Sequence, residues 1–343
     1  MDRFLPDHDA LAEHIDQKAA ELYQALKGID ADQLNMPYHC REYFKSSHTT
    51  RLFFSVETSA HILYRSLKMN GQKPQDCIFM DYGAGVGTLF LLASMIGCKM
   101  VIYNDHLEDW KISAEEIAAS VGVRIDRYIV GDIRECLEEL KREKIQCNII
   151  ASRNVIEHIY KLDDFYALLY DFQPGALIFS STTANYANPG ARLKHRMWHR
   201  KWEKIYYKQR REIAGQLLSS ATDDQLDKIA EATRGLGQDD LKQAIKQFDA
   251  TGEVPDPAVH GSNTCEPVSG TWAEHIISFD AYRKLIREEQ YELFFKPGFW
   301  DTHYSRKSKN LLSVMLNRII RSGGSKALTV APFIYVITRP KKK

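Results

Sequence analysis

The sequence predicts an α/β protein whose sheet is mostly parallel. Short apolar runs alternate with stretches of helical period, such as residues 114–120 and 133–143. The runs lie at residues 77–80, 100–103, 127–130, 147–151 and 176–180. Strands that alternate with helices imply a parallel sheet covered on both faces. Ligands of such sheets bind beyond the carboxyl ends of the strands.

Two helices are predicted before the first strand. Residues 9–27 carry apolar side chains at helical spacing, and Gly28 follows as a stop signal. Residues 53–67 predict a second helix of the same kind. We therefore expect a helical N-terminal cap over residues 1–72 that packs over the loop after the first strand.

The alternation of strands and helices stops after residue 183. A stretch with nine Lys and Arg residues against one Glu, interleaved with Trp and Tyr, covers residues 192–211. Thr222 and Gln225 have the spacing of a capping box that opens a helix ending at Gly235, and a further amphipathic helix begins at Asp240. Together they predict a mostly helical insertion after the fifth strand.

Strand-like runs return only at residues 291–295 and 329–337. The predicted organisation is therefore a core over residues 73–185, an insertion over 186–275 that determines substrate specificity, and completion of the core sheet by 276–343. Loops and insertions carry specificity because the core of such folds is generic.

Composition excludes several classes of protein. The chain has 343 residues, 44% hydrophobic, and a formal charge of +1, so no overall field attracts nucleic acid or a membrane. The most apolar region, residues 78–103, contains charged residues and glycines and cannot span a membrane. Six cysteines without CxxC pairing argue against a zinc ribbon or disulfide scaffold, and a reducing cytoplasm is the expected location.

A glycine-rich turn follows the first predicted strand. Residues 81–88 read DYGAGVGT, which places Gly83, Gly85 and Gly87 directly after Asp81. Such a turn lets a polar ligand approach main-chain N–H groups and a helix N-terminus. The dinucleotide fingerprint G-x-G-x-x-G would need its third glycine where this chain has Thr88.

This turn resembles motif I of the class I S-adenosylmethionine-dependent methyltransferases, a family with a Rossmann-like sheet. Asp105 and Asp132 follow the second and third strands, where the family places acids. Residues 149–159, which contain Glu157 and His158, and the Pro-Gly turn and strand at 172–182 are similar to the small-molecule O-methyltransferases of ubiquinone biosynthesis.

The resemblance implies S-adenosylmethionine as the cofactor. Asp105 would accept hydrogen bonds from the ribose hydroxyls, and Asp132 from the adenine amino group, with Ile133 packing on the ring. Each aspartate is also a helix N-cap candidate. The expected cofactor-binding residues are Asp81, Gly83, Gly85, Gly87, Asp105, His106, Asp132, Ile133 and Asn154.

His158 is the expected general base, because histidine titrates near neutral pH and this residue lies beyond the fourth strand. The alternative is that it caps backbone at a helix end. Glu157 and His195 complete the predicted catalytic set. Asn154 stands where related enzymes have a metal-binding acid, so a divalent metal is an alternative that the sequence does not favour.

The acceptor is expected to contact residues after the fifth strand and a late aromatic and polar group. His195 and His199 share a helix face, and their alternative interpretation is a solvated basic surface. The predicted substrate-binding residues are Tyr186, Asn188, Arg192, His199 and Trp300. The late group comprises His260, Trp272, His275, Trp300, Asp301 and His303.

The favoured function is methyl transfer to an oxygen or nitrogen of a small molecule, such as a sugar, a phenol or a natural-product intermediate. One alternative is an RNA or protein methyltransferase that holds its polymer with residues 192–211. Neutral charge and the lack of a known RNA-binding module count against nucleic acid. Another alternative is a non-catalytic cofactor-binding protein. No membrane partner is expected, and a homodimer is left open.

Overall fold

The structure, a computed structural model, describes residues 3–256, 259 and 261–341. A seven-stranded sheet has the order β3-β2-β1-β4-β5-β7-β6. The strands are β1 Ile78–Tyr82, β2 Met100–Asp105, β3 Arg127–Val130, β4 Ile149–Arg153, β5 Leu177–Thr182, β6 Tyr291–Pro297 and β7 Ile334–Pro340. The predicted α/β fold class, with a helical N-terminal cap and a helical insertion after the fifth strand, is confirmed.

The first five strands are parallel, and β7 runs antiparallel to both β5 and β6. The carboxyl ends of β1, β2, β4 and β5 therefore meet at one edge of the sheet. Buried side chains such as Phe79, Ile150 and Phe179 fill the space on the two faces of the sheet.

Helices cover the sheet and form both additions to it. They are α1 Ala10–Lys27, α2 Tyr38–Tyr43, α3 Leu52–Asn70, α4 Leu89–Met95, α5 Glu108–Ser120, α6 Ile133–Arg142, α7 Leu162–Phe172, α8 Pro189–Leu217, α9 Asp223–Ala232, α10 Gln238–Thr251, α11 Phe279–Lys284, α12 Lys307–Arg321 and α13 Ser325–Val330. No helix within the described part of the chain is long and apolar enough to cross a membrane.

The N-terminal cap is built on α1 and α3. Asp9 caps α1 by accepting from the backbone N–H groups of Leu11 and Ala12, and Gly71 ends α3 in the left-handed conformation. The buried face of α3 packs against the glycine-rich turn, where the Thr88 and Ser59 hydroxyls lie 2.8 Å apart. The cap thereby becomes a wall of the cleft described below.

The basic stretch of the insertion lies within α8, which Asn188 caps by accepting from the backbone N–H of Ala191. The capping box of Thr222 and Gln225 opens α9 as predicted, although α9 ends at Ala232 and not at Gly235. A small apolar cluster that includes Ala214, Ile229 and Ile245 joins α8, α9 and α10.

One predicted strand boundary is wrong. Residues 329–337 read as one strand, but Thr329 and Val330 belong to α13 and β7 begins at Ile334. Pro332 separates the two elements, because proline lacks an N–H and its preceding residue, Ala331, adopts an extended backbone. Apolar content alone did not distinguish the end of a helix from the start of a strand.

Candidate functional site

A cavity of about 340 Å³ opens at the carboxyl ends of β1, β2 and β4. Its wall joins the glycine-rich turn to side chains from α2, α5 and the segment after β4. The lining residues are Tyr43, Asp81, Gly83, Ala84, Gly85, Val86, Gly87, Thr88, Leu89, Asp105, Trp110, Arg153, Asn154 and His158. The structure therefore brings together most of the predicted cofactor residues and the predicted base.

Asp81 lies within β1 and is only 2% exposed. Its Oδ2 accepts a hydrogen bond of 3.0 Å from the backbone N–H of Phe90, in the first turn of α4. Burial raises the pKa of this carboxyl to about 7, although the nearby Arg153 guanidinium opposes the shift. Asp81 thus ties the strand to the following helix across the glycine-rich turn.

The glycines of the turn serve different steric needs. Gly83 has a φ of +65°, and a Cβ there would meet the Val155 side chain at 2.7 Å. Gly85 has a φ of +51°, but a Cβ there would meet nothing within 4 Å. The backbone at Gly85 is therefore bare and faces open space that a ligand could fill.

Asp105 ends β2 beside this bare backbone and is 5% exposed. Its Oδ2 accepts from the Gly85 N–H at 2.9 Å, and its Oδ1 accepts from the Leu107 N–H at 3.3 Å. His106 Nδ1 lies 3.1 Å from Oδ1, and this hydrogen bond raises the pKa of His106. The carboxylate is fixed by these bonds at the mouth of the turn.

Asp132 and Ile133 stand one strand further along the same edge. Asp132 caps α6 in a reciprocal capping box with Glu135, and the Gly131 N–H donates to the Asp105 carbonyl at 3.0 Å. Neither Asp132 nor Ile133 lines the cavity. Asp132 therefore has the geometry of the N-cap alternative. The Gly131 N–H connects this segment to the backbone of Asp105.

Arg153, which sequence reasoning missed, stands where β4 reaches the cavity. Its Nη1 donates to the Ser55 carbonyl at 2.9 Å and to the Ser55 hydroxyl at 2.6 Å. Within the described residues, its other nitrogens make no hydrogen bond and no carboxylate lies within ion-pair distance. Burial lowers the pKa of this guanidinium, so its charge is held at a cost that an anionic ligand would offset.

Asn154 follows with a φ of +58°, which is uncommon for a residue with a side chain. Its N–H donates to the Ser181 carbonyl at 2.9 Å, which turns the chain away from β4. Arg153 and Asn154 also line a neighbouring cavity of about 440 Å³. The two cavities meet at these residues and at Tyr43.

His158 lines the first cavity, and its ring orientation is fixed by the insertion. Nδ1 lies 2.8 Å from the Trp272 carbonyl, and the Trp272 N–H donates to the His158 carbonyl. Because a carbonyl only accepts, Nδ1 carries a proton, and in the neutral imidazole Nε2 is then the acceptor. This tautomer is the one that a general base acting through Nε2 requires.

Glu157 points the other way and is 1% exposed. Its Oε1 accepts from the Thr183 N–H at 3.2 Å, whereas Oε2 has no hydrogen-bond partner among the described residues. Burial raises the pKa of this carboxyl to about 7. Glu157 therefore supports the ends of β4 and β5 and does not line either cavity.

His195 and His199 are buried, so their alternative interpretation as a solvated face is wrong. His195 Nε2 lies 3.2 Å from the Thr183 carbonyl, and its Nδ1 lies 3.8 Å from Glu274 Oε2. His199 bridges the Ser262 hydroxyl and the Glu274 carbonyl, at 2.9 Å each. Burial lowers the pKa of both imidazoles. Both histidines hold α8 to the segment after β5 and to the loop that contains Glu274, and neither lines either cavity.

Glu274 contacts Thr183, His195 and His199, and it was not among the residues predicted from the sequence. Its φ of +64° is unusual for a residue with a side chain, and its carboxylate accepts from the Thr183 hydroxyl at 2.7 Å. Thr183 in turn lines the second cavity. No sequence motif marks Glu274, because its partners lie far away along the chain.

The second cavity is lined by hydroxyl groups, two phenylalanines and two guanidinium groups. Its lining residues are Tyr43, Ser46, Thr50, Arg51, Phe54, Ser55, Thr58, Arg153, Asn154, Ser181, Thr183 and Phe333. Arg51 is paired through Nε and Nη2 with the buried Asp301. Of the late group, Asp301 therefore supports a wall of this cavity.

The predicted substrate-binding residues lie outside both cavities. Asn188 donates to the Ala331 carbonyl at 2.9 Å, and Trp300 Nε1 donates to the Val330 carbonyl at 3.0 Å. Tyr186 and Arg192 face each other in a cation–π contact of 5.3 Å. Trp272 stacks on His275 at 4.0 Å near His158, and His260 lies outside the described residues.

In the part of the chain that the structure describes, no group of three or more His, Cys, Asp or Glu side chains could hold a metal ion.

Comparison with solved structures finds similar proteins only at low identity and low TM-score. No family model and no curated protein matches. A Listeria monocytogenes protein provisionally assigned as an S-adenosylmethionine-dependent methyltransferase is similar over 83% of this chain and 100% of its own, with 12% identity and a TM-score of 0.40.

Two further similar structures match shorter regions. The ribosomal protein L11 methylase of Lactobacillus delbrueckii subsp. bulgaricus has 18% identity and a TM-score of 0.30, over 38% of this chain and 60% of that one. TrmN from Thermus thermophilus has 22% identity and a TM-score of 0.30, over 36% and 38%. The chain thus spans less than two thirds of the length of these two proteins, and the similarity does not select an acceptor.

Proposed function

We propose that this protein is an S-adenosylmethionine-dependent methyltransferase that acts on an oxygen or nitrogen of a small-molecule acceptor. The observation that carries the proposal is the bare, left-handed Gly85 next to the fixed carboxylate of Asp105. A ligand can approach the main chain at that point, and the acid beside it can accept from sugar hydroxyls.

The residues around the first cavity suit both ends of such a cofactor. Asp105 would accept from the ribose, and Arg153 offers unbonded nitrogens to the carboxylate of the methionine end. Asp81 lines the same cavity, and a positive sulfonium bound there would stabilise its ionised form. When bound, the cofactor supplies a methyl group that is already activated for transfer.

The chain's own contribution would be positioning and proton removal. His158, held through Nδ1, presents Nε2 as a proton acceptor, and a general base typically contributes about 10²- to 10⁴-fold. Holding the acceptor in line can contribute about 7 to 11 kcal/mol. Glu157 and His195 would act as positioning residues, because they hold the strand ends and do not reach the cavities.

The acceptor would occupy the second cavity, where Arg153 and Asn154 separate it from the first. Its volume of about 440 Å³ suits a small molecule, and its hydroxyl groups and phenylalanine rings suit a sugar or a phenol. The proposal keeps three predictions from the sequence. They are the similarity to ubiquinone-type O-methyltransferases, the cytoplasmic location, and the domain boundaries after residues 72, 185 and 275.

One observation favours an RNA acceptor instead. Trp198 and Trp202 on α8 are 44% and 39% exposed, amid the cations of the basic stretch, and exposed aromatic rings beside cations can stack bases. Binding of a polymer through several phosphates should weaken steeply as salt is raised, whereas a small acceptor should be much less affected.

Calorimetric titration tests whether the protein binds S-adenosylmethionine, which the proposal requires. S-adenosylmethionine should bind, and Arg153→Gln should weaken that binding about ten- to a hundredfold, because a charge-assisted hydrogen bond contributes about 1.5 to 3 kcal/mol. The same variant should leave the affinity for 5′-methylthioadenosine unchanged, since that molecule lacks the carboxylate. Arg134→Gln, on the exposed surface of α6, is the matched control.

If S-adenosylmethionine does not bind the wild-type protein, the proposed function is wrong. If it binds but Arg153→Gln weakens both ligands equally, the cofactor assignment stands and the role of Arg153 is wrong.

A further inference from the structure

Helix α12 exposes a row of apolar side chains and buries Ser313, Asn317 and Ile320 on its other side. Leu311, Leu312, Met315 and Ile319 are 66%, 54%, 55% and 43% exposed. Ser313 and Asn317, on the opposite side, are 3% and 7% exposed. Leu311, Met315 and Ile319 follow one another at four-residue spacing, and Leu312 lies three before Met315, so the four form one stripe. We call these four residues the α12 stripe.

The outward direction of the α12 stripe is fixed by hydrogen bonds on the buried side. Asn317 accepts from the Trp300 N–H at 2.7 Å and donates to the Trp300 carbonyl at 2.8 Å. Both bonds hold the helix to the segment after β6. Rotating α12 to bury the stripe would break this pair and expose two buried polar groups.

The surroundings of the α12 stripe are strongly cationic. No Asp or Glu occurs between residue 302 and residue 343. Lys307, Arg318 and Arg321 are exposed, and their spacings of eleven and three residues place them along one edge of the stripe. None of the three forms an ion pair among the described residues, and Arg321 lies near the partly buried Glu57, in a cavity that both residues line.

We propose that the α12 stripe rests on an anionic lipid surface. An amphipathic helix with apolar side chains on one side and Lys or Arg beside them lies in a membrane interface, where its cations reach the headgroups. This is interfacial binding by the outside of α12 and not a membrane span. The proposal is independent of the cofactor.

Two other occupants fit the observations less well. A second copy that packed its own stripe against this one would bring the cations of both helices together, and α12 itself carries no acid to neutralise them. A nucleic acid would use the cations, but the stripe has no aromatic ring on which bases could stack. An anionic lipid surface matches both the apolar and the charged component.

Vesicle co-sedimentation tests the proposal. The full chain should bind vesicles of phosphatidylcholine and phosphatidylserine in equal parts about tenfold more tightly than vesicles of phosphatidylcholine alone. The double variant Leu311→Gln with Met315→Gln should lose this binding by about tenfold or more. Because both positions are exposed, its thermal unfolding should match that of the wild type.

The matched control is Leu193→Gln with Met197→Gln on α8, where both side chains are 62% exposed. This variant removes the same apolar groups from another cationic helix and should retain binding. The proposal is overturned if the wild-type chain ignores the anionic vesicles, or if both double variants lose binding equally. It is also overturned if the wild type sediments as a dimer without lipid and the α12 variant sediments as a monomer.

Discussion

The two halves of the cleft edge are built over very different distances along the chain. At β1 and β2, Phe90 donates to Asp81 nine residues away, and Gly85 donates to Asp105 twenty residues away. At β4 and β5, His158 meets Trp272 across 114 residues and Thr183 meets Glu274 across 91. The first half is a local motif, whereas the second depends on how the insertion folds back.

The largest expected effect tests the local half. Gly85→Arg would fill the open space above the turn, so binding of S-adenosylmethionine should become undetectable by calorimetry. Left-handed backbone costs a residue with a side chain about 1 to 2 kcal/mol. Gly122→Arg is the control, because Gly122 has a φ of +68°, also has nothing within 4 Å of a Cβ, and lies outside the cavity.

If Gly85→Arg binds the cofactor as tightly as Gly122→Arg does, the ligand does not lie on the turn. Loss of binding in both variants would instead indicate that left-handed strain, and not the filled space, is responsible.

The next effect tests the long-range half. His158→Ala should lower the turnover number by about 10²- to 10⁴-fold, because it removes the only base held at the first cavity in a fixed tautomer among the described residues. The affinity for S-adenosylmethionine should barely change. Formation of S-adenosylhomocysteine, with the small-molecule fraction of a cell extract as acceptor, measures the turnover. Wild-type turnover in the variant would exclude His158 as the base.

A smaller effect should follow from Asp105→Asn. The amide oxygen can still accept from the Gly85 N–H, so the turn should keep its shape while the charge towards the ribose is lost. We expect affinity for S-adenosylmethionine to fall about ten- to a hundredfold, from a charge-assisted bond of about 1.5 to 3 kcal/mol. Asp109→Asn, on the adjoining helix α5, should have no effect. Unchanged affinity in Asp105→Asn would remove the ribose assignment.

The last prediction concerns the pH dependence of stability. Glu157 keeps its proton in the folded chain up to about pH 7, whereas the unfolded carboxyl loses it near its ordinary pKa of about 4.3. Between these values the folded state binds one more proton, so the free energy of unfolding should fall as pH rises, by at most about 1.4 kcal/mol per pH unit. Thermal unfolding of Glu157→Gln should show a flatter profile over this window. Identical profiles would mean that Glu157 is already ionised when folded.

The local half of the cleft was readable because its partners are close in sequence. Asp81, Gly83, Gly85 and Asp105 can be placed from strand ends and a glycine spacing, and the structure brings them to one cavity. Whether they bind the cofactor stays a prediction.

The residues of the long-range half could not be predicted from the sequence in the same way. Arg153 becomes informative only when Ser55, 98 residues earlier, is seen to hold one side of its guanidinium. Glu274 lies in a loop with no motif, and its left-handed backbone depends on contacts from α8. His195 and His199 looked exposed because their neighbours are Lys and Arg, yet their side of α8 is buried against Thr183 and the loop that contains Ser262 and Glu274.

The net charge of the chain also did not predict how charge is distributed over its surface. A formal charge of +1 predicted no membrane partner, but acidic residues are absent after Asp301. Among the described residues, the cations of α12 form no ion pair. A balanced total can conceal a segregated distribution, and the vesicle measurement addresses the distribution directly.

Ser55 links parts of the molecule that the domain boundaries would separate. Its carbonyl accepts from both Arg153 and the Thr88 hydroxyl, and its own hydroxyl receives a second bond from Arg153. A recombinant fragment beginning at residue 73 would retain every strand of the sheet. It would lack Ser55, the hydrogen-bond partner of the Arg153 guanidinium and of the Thr88 hydroxyl. Such a fragment would also lack the buried faces of α1 and α3, which supply much of the larger core cluster. The leading helices are therefore part of the core and of the cleft wall and not a detachable lid.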